Sequence, residues 1–280
     1  MHQTEFSTRR LCQVLGVSAS GYYAWRKRPP SPRSQANEAL LTRIRLVHTQ
    51  SRQTYGSPRI HVELREQGIP CGRHRVARLM RNHAVKPYHK RRFHHTTRAN
   101  PRLPVAANLL DRNFTAERPN QVWLSDMTYV PTAEGWLYVA AILDMCSRRI
   151  VGWQSSARLD TDLALDAWQM ALGRRCPSTG GLHHSDRGSQ YASALYQQAL
   201  NGQTWTASMS RSANCYDNAP MESFFATLKT ELVHRHTFRS RAEAHTALFD
   251  YIEGFYNPIR RHSALGYRSP MDFEASIHLA

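Results

Sequence analysis

Along residues 119 to 280 the apolar positions change their spacing several times, and each change marks an element. "QVWLSDMTYVP" and "GWLYVAAILDMCS" are short apolar-rich runs that meet at "TAEG", which predicts two strands joined by a turn; "RRIVGWQSS" predicts a third. "DTDLALDAWQMALGRR" has helical spacing, with Asp160 or Thr161 at its cap. "GGLHHSD" predicts a short strand, "SALYQQALNG" a helix stopped by Gly202, and "TWTASMS" a last strand. A helix then opens in "NAPMESFFATLKTE": Asn218 or Asp217 can cap it, Pro220 suits its first turn, and Phe224, Phe225, Leu228 and Leu232 form an apolar stripe. Three antiparallel strands followed by alternating helices and strands predict an α/β domain with a mixed sheet. Helical text broken at "YNPIRRHSALGYRSP" closes the chain.

The first third reads differently. "STRRLCQVLGVSASGYYAWRKR" has the order of a helix-turn-helix: Leu11, Val14 and Leu15 line one face, Gly16 breaks the helix, and Ser18 or Ser20 caps the next. That second helix is aromatic and then basic, ending in Arg26, Lys27 and Arg28. "RPPSPRSQ" reads as a linker. A second helical group runs to about residue 85, from "NEALLTRIRLVHTQ" through a helix opened by Ser57 and Pro58 to "RHRVARLMRNH". Its last helix sets Arg73, Arg75, Arg78 and Arg81 around Val76, Leu79 and Met80. "KPYHKRRFHHTTRANPRLP", which contains Lys90, Arg91 and Arg92, predicts an extended arm that tracks phosphates. The expected domains are a helix-turn-helix-like segment over 1–30, a second such DNA-binding domain over 36–85, a basic linker arm over 86–118, and a catalytic core with C-terminal helices over 119–280.

Charge sharpens this division. Residues 1–100 hold 20 Lys and Arg against 4 Asp and Glu, whereas residues 101–280 hold 17 of each, so the whole formal excess of +16 lies in the first third. A polyanion is the expected partner, and nucleic acid is the commonest one. Membrane is disfavoured, because the longest uninterrupted apolar run is "WLYVAAIL", and "MHQTEFSTRR" has no apolar signal segment. Cys12, Cys71, Cys146, Cys176 and Cys215 are scattered without a C-x-x-C pair, so neither a disulfide framework nor a zinc site is expected and a reduced cytoplasm fits.

The chemistry points to three carboxylates. Asp126 lies within the first strand, Asp186 directly follows the fourth, and Glu222 begins the helix after the fifth. If the first and fourth strands are neighbours, all three converge. Crowded carboxylates repel by roughly 4 kcal/mol per pair at about 4 Å and an effective dielectric near 20, and divalent cations offset that repulsion. Oxygen-only donors favour Mg²⁺ or Mn²⁺, and two such ions about 3.5–4 Å apart would activate a nucleophile and stabilise a leaving oxygen at a phosphodiester. Lys229, seven residues after Glu222, projects within about 20° of it on the same helix face. Taken singly, each Asp reads more simply as a turn or cap residue, and the Glu–Lys pair as a solvated face.

"VWLSDMTYV", "LHHSDRGSQYAS" and "NAPMESFFATLKTE", with 35 residues between Asp186 and Glu222, resemble the three motif blocks of DDE transposases and retroviral integrases. The tail "FYNPIRRHSALGYRSPMDFE" and the early "LCQVLGVSASGYYAWRKR" narrow the resemblance to the second-frame product (OrfB) of the IS-three family of bacterial insertion sequences. The resemblance implies an RNase H-like core, a mixed five-stranded sheet of order 3-2-1-4-5 with flanking helices, preceded by all-α helix-turn-helix-like units. It implies catalysis and metal binding by Asp126, Asp186 and Glu222, and donor-end contact by Lys229. It also implies a frameshift partner: the upstream frame (OrfA) supplies a further helix-turn-helix and a coiled coil, which this sequence lacks, as it lacks the zinc-binding domain of integrases.

Other polar residues keep plainer readings. Asp144 suits a strand end or an indirect role better than a fourth ligand; His184 suits a packed, hydrogen-bonded place; Trp123 suits the core; Asp217 suits a cap. Arg187, Ser189 and Gln190 after Asp186 are candidates for DNA contact. The expected activity is metal-dependent 3′-end cleavage and strand transfer on double-stranded DNA, at the element's terminal inverted repeats and a target, by a homo-oligomer. The alternatives are an RNase H-like nuclease that hydrolyses without joining, and a non-catalytic DNA-binding regulator.

Overall fold

The computed structural model describes residues 6–88, 106–111, 113–178, 180–211 and 215–278. The sheet contains β1 (Val122–Thr132), β2 (Gly135–Asp144), β3 (Ile150–Ser156), β4 (Leu182–Ser185) and β5 (Thr206–Met209). Their order is β3-β2-β1-β4-β5, the RNase H-like order, with β1, β2 and β3 antiparallel and β4 and β5 parallel to β1 and to each other. The β1–β2 turn closes at Thr132 opposite Gly135, which sits at φ +104, a value that L side chains rarely adopt.

Alternation along β1 divides the core into two layers. Leu124 and Val130 face one cluster, which holds Phe224, Phe225 and Leu228 of α8 (Ala219–Glu231) and Leu248 of α9 (Arg241–Tyr251). Trp123 faces the other, with Trp168 of α6 (Thr161–Arg175), Tyr196 of α7 (Ala194–Asn201) and Trp205. Trp123 is fully buried, 4.3 Å from the Trp205 ring and 5.5 Å from the Trp168 ring, as its core reading requires. A Cβ on Gly152 would come within 2.2 Å of the Ala167 carbonyl, so only glycine lets α6 lie this close to β3.

The N-terminal helices are α1 (Thr8–Val14), α2 (Ala19–Lys27), α3 (Pro32–Gln50), α4 (Ser57–Glu66) and α5 (Arg73–Asn82). Gly16 turns the chain at φ +65 and the Ser18 hydroxyl caps α2. The stretch read as a linker is shorter than expected. Ser31 accepts from the Ser34 N–H and Pro32 takes the first helical position, so the same Ser and Pro that suggested a linker start α3.

The two parts are not separate bodies. Leu40, Ile44, Tyr55, Ile60, Leu64 and Val76 belong to the same apolar cluster as α8 and α9. Arg261 bonds both Glu63 and Glu66 of α4, Arg52 pairs with Asp250 at 2.8 Å, and the Tyr55 hydroxyl donates to the Ile259 carbonyl at 3.1 Å. After α9 a π turn (Ile252–Tyr256) presents Asn257, whose amide donates to the Ile150 carbonyl and whose carbonyl accepts from the Ile150 N–H. The buried Glu274 of α10 (Pro270–His278) accepts from Arg149 and Arg175, fixing the tail against the sheet. Among the described residues no helix is long and apolar enough to cross a membrane.

Candidate active site

The β1–β4 register pairs Leu124 with His184, so two residues further on Asp126 and Asp186 emerge side by side. Each orients one carboxylate oxygen by a backbone bond: Asp126 Oδ1 accepts from the Met127 N–H at 2.7 Å, and Asp186 Oδ1 from the Gly188 N–H at 2.9 Å. A Cβ on Gly188 would lie 2.9 Å from that same Asp186 oxygen, so the turn after β4 leaves no room for a larger residue. α8 brings in Glu222 and Lys229. Its start is held to β1 by Asn218, whose amide donates to the Ser125 carbonyl at 3.0 Å.

Electrostatics ties these groups together. Burial, then the charge of Asp186, and also that of Glu222 push Asp126 up to about 8, against the Met127 N–H and Lys229, which favour its anion. Burial raises Asp186 as well, and partial desolvation raises Glu222, which keeps an exposed edge. Lys229 is lowered by burial and partly restored by Asp126; its ammonium lies 4.8 Å from the Tyr129 ring centroid. It does not pair with Glu222, so the solvated Glu–Lys face is not what the helix presents.

No three His, Cys, Asp or Glu side chains among the described residues surround one point closely enough to ligate a single ion. The donor set still suits a hard cation: every group is a carboxylate oxygen, Glu222 has no hydrogen bond or ion pair among the described residues, and Asp126 is raised by burial and by the charges of Asp186 and Glu222.

The remaining sequence candidates fall into place individually. Asp144 is buried at the end of β2, accepting from the N–H groups of Asn120, Cys146 and Ser147, and stands apart from the three carboxylates. His184 bonds Ser208 and Ser210 at 2.8 and 3.1 Å, and burial lowers it to about 4. Asp217 is not a cap: its buried carboxylate accepts from Arg211 and Asn108, because a charge taken out of water is better matched by a guanidinium than by a helix end. Asn218 occupies the cap position but makes no cap bond, its amide being committed to β1. Arg187 donates Nε to the Ser210 carbonyl at 2.7 Å.

Arg26, Lys27 and Arg28 are exposed at the end of α2, and Arg73 and Arg78 on α5, while Arg75 donates to Asn37 at 2.8 Å. A cavity of about 500 Å³ between α3 and α5 is lined by Arg33, His74, Arg75 and Arg78. Lys90, Arg91 and Arg92, and most of the predicted arm, lie outside the described residues. Sequence reasoning missed Tyr191, which is buried where both Asp126 and Asp186 act on it, although it stands in the same motif block, and it missed the tie made by Asn218.

Comparison with known proteins decides the family. The integrase core domain family matches residues 116–215 and, in a second part, 222–276, and an HTH-like domain family matches 35–93. The chain is 43% identical over 275 residues to the transposase InsF for insertion sequence IS3A of Escherichia coli (strain K12), covering 98% of this chain and 96% of that one. The chain belongs to the IS3 family of insertion-sequence transposases. An uncharacterized 31 kDa protein of insertion element IS600 from Shigella sonnei is 47% identical over 268 residues, covering 96% of this chain and 98% of its own. Among solved structures, a simian T-cell lymphotropic virus intasome in complex with a PP2A regulatory subunit matches at TM-score 0.48 and 14% identity, covering 83% of this chain and 74% of its own. An HTLV-2 integrase catalytic core domain in complex with magnesium matches at 0.43 and 13%, covering 57% and 99%. As a member of this transposase family the chain combines a DNA-binding, HTH-like domain with a polynucleotidyl-transferase core, and the excess positive charge falls on the DNA-binding side.

Proposed function

We propose that the chain is a DDE transposase that cleaves the 3′ ends of its insertion sequence and joins them to target DNA. The observation that carries this reading is the position of Asp126 within β1, where Asp186 after β4 and Glu222 on α8 both come near enough to add their charge to the burial that raises it. Asp126, Asp186 and Glu222 would hold two Mg²⁺ or Mn²⁺ ions. When bound, such ions supply the charge that lowers the pKa of an attacking hydroxyl and stabilises the leaving oxygen. Asp126, rigid within β1, and Asp186, fixed by the Gly188 N–H, would orient the donor set; Lys229 would hold a phosphate of the element's end. Hydrolysis of one phosphodiester releases a 3′-OH. That oxygen then forms a bond to phosphorus in the target strand as the target's own P–O3′ bond breaks.

Arg73, Arg75, Arg78, Arg26, Lys27 and Arg28, with Lys90, Arg91 and Arg92 and with Arg187 nearer the carboxylates, would contact DNA backbone. The working form would be an oligomer on paired ends in the bacterial cytoplasm, alone or with the upstream-frame protein, and the domains would divide at 1–30, 36–85, 86–118 and 119–280. Incubating the protein with labelled terminal repeats, target DNA, Mg²⁺ and the upstream-frame protein tests the reading: joined DNA is the expected product. Hydrolysed ends that never join would replace it with a nuclease, and bound but uncut DNA with a regulator.

A further inference from the structure

Three arginines from distant parts of the chain meet where the N-terminal helices dock on the catalytic side. Arg59 comes from α4, Arg148 from the β2–β3 turn, and Arg260 from the segment after the π turn; all three act on His262, and all three on Tyr256. Among the described residues Arg260 alone of the three makes a direct ion pair, a two-pronged one with Glu231 at 2.8 and 2.7 Å, while Glu231 acts on Arg59 and Asp144 on Arg148 only at longer range. Arg59 stacks over the Tyr55 ring at 5.6 Å, and neither it nor Arg148 makes a direct ion pair among the described residues. His262 lies edge-on to Tyr256 at 5.0 Å, and its buried Nε2 has no hydrogen-bond partner.

This arrangement is costly for the protein alone. Half-buried like charges repel, and a buried unpaired polar atom loses water without compensation. Arg148 adds backbone strain, standing at φ +61 in a turn where glycine would be relaxed. The Asp144 carbonyl accepts its N–H at 2.8 Å and holds it there. An anion with several acceptor oxygens would resolve all of these features together: guanidinium groups match phosphate in charge and geometry, and a histidine N–H donates to a remaining oxygen.

We propose that Arg59, Arg148, Arg260 and His262 form a phosphate-binding site at the junction between the N-terminal helices and the catalytic core. Its ligand is a phosphate group, from the DNA backbone or free in solution. Glu231, which orients Arg260, ends the helix that begins beside Glu222; nine residues of helix set the two about 14 Å apart along its axis. A phosphate held at the junction would therefore fix α8 relative to the N-terminal helices. The inference goes beyond the proposed strand transfer, and its readouts need no catalysis.

The test uses the full chain, with inorganic phosphate titrated against chloride at fixed ionic strength and melting temperature and calorimetry as readouts. Wild type should bind and be stabilised by phosphate, whereas Arg59→Gln and Arg148→Gln should weaken binding about tenfold or more. Without phosphate, Arg148→Gln should melt at or above the wild type because like-charge repulsion is relieved. Binding of duplex DNA separates the sources. If the ligand is a backbone phosphate, each variant lowers the salt slope by about one and DNA displaces free phosphate; if it is free phosphate, the slopes stay unchanged while phosphate still binds. Variants that melt lower than wild type by the same amount with and without phosphate, together with unchanged salt slopes, would show a purely structural cluster and overturn the proposal.

Discussion

The side-chain amide of Asn218 donates to the backbone carbonyl of Ser125 at 3.0 Å, so the start of the Glu222 helix is tied to the residue preceding Asp126. This bond sets the approach of one carboxylate to another, though neither Asn218 nor Ser125 is itself acidic. Asn218→Ala should cost about 1 kcal/mol of stability, the ordinary worth of one buried hydrogen bond. End joining should fall further than that, about tenfold, because small misplacements of reacting groups are amplified in rate. Equal joining rates in the variant and wild type, measured beside their melting curves, would show that α8 is placed without it.

Asp126→Asn, Asp186→Asn and Glu222→Gln should each abolish cleavage and joining of labelled ends while DNA binding in gel shifts stays near wild type. Phosphate contacts come from other residues, whereas the donor set acts as a unit, so double substitutions should add almost nothing to single ones. Cleavage surviving in any one variant with Mg²⁺ removes that residue from the set.

The elevated Asp126 has a signed consequence for stability. Its folded pKa of about 8 lies above its ordinary value of 3.8, so the folded state binds the extra proton. The stability due to this group is complete below about pH 4 and is lost as pH rises through about 8. Asp126→Asn, which cannot ionise, should therefore melt higher than wild type at pH 8 without metal and lose that advantage near pH 4. Adding Mg²⁺ at pH 8 should stabilise the wild type and not the variant. Melting curves across pH with and without Mg²⁺ decide the matter, and a difference independent of pH would refute the account.

Lys229 stands over Tyr129 and in the field of Asp126. Lys229→Ala should lower joining about tenfold while leaving Mg²⁺-induced stabilisation intact, and Lys229→Arg should retain part of the activity because charge is kept while geometry changes. The lost cation–π contact costs about 0.5–1 kcal/mol and cannot account for a tenfold rate loss under saturating, folded conditions. A Lys229→Ala protein that joins ends at the wild-type rate would return this residue to a packing role.

The shared apolar cluster and the Arg261 bonds to Glu63 and Glu66 predict one cooperative unfolding transition for the whole chain. Arg261→Ala leaves two glutamates without their partner and should remove about 2 kcal/mol. Calorimetry should then show a broadened or split transition. Two transitions already present in the wild type would mean that the halves unfold independently.

Local physics was enough to read most of the elements from the order of residues. Gly16, Ser18, Asp160 and Gly202 act on the few residues beside them, and strand runs such as "GWLYVAAIL" carry their burial in composition, so both survive into the structure with little change. The charge asymmetry, too, is read from residue order alone, as is the candidacy of Asp126, Asp186 and Glu222 as oxygen donors. The stretch from Ser31 to Gln35 misled because Ser and Pro serve linkers and helix starts alike, and only the helix beyond them decides between the two.

What depended on tertiary structure was every relation between distant residues. Asp217 left the helix end for Arg211 and Asn108, and Asn218 left it for Ser125, because buried polar groups take whichever partner the packed chain brings nearest, and sequence separation says nothing about that distance. The docking of α4 on the tail, the gathering of Arg59, Arg148 and Arg260, and the placing of Tyr191 beneath two aspartates have the same origin. Residue type determined which groups could pair; the five-stranded sheet and its packed helices decided which of them did, since Coulomb and hydrogen-bond energies are won only at contact distances that chain topology alone creates.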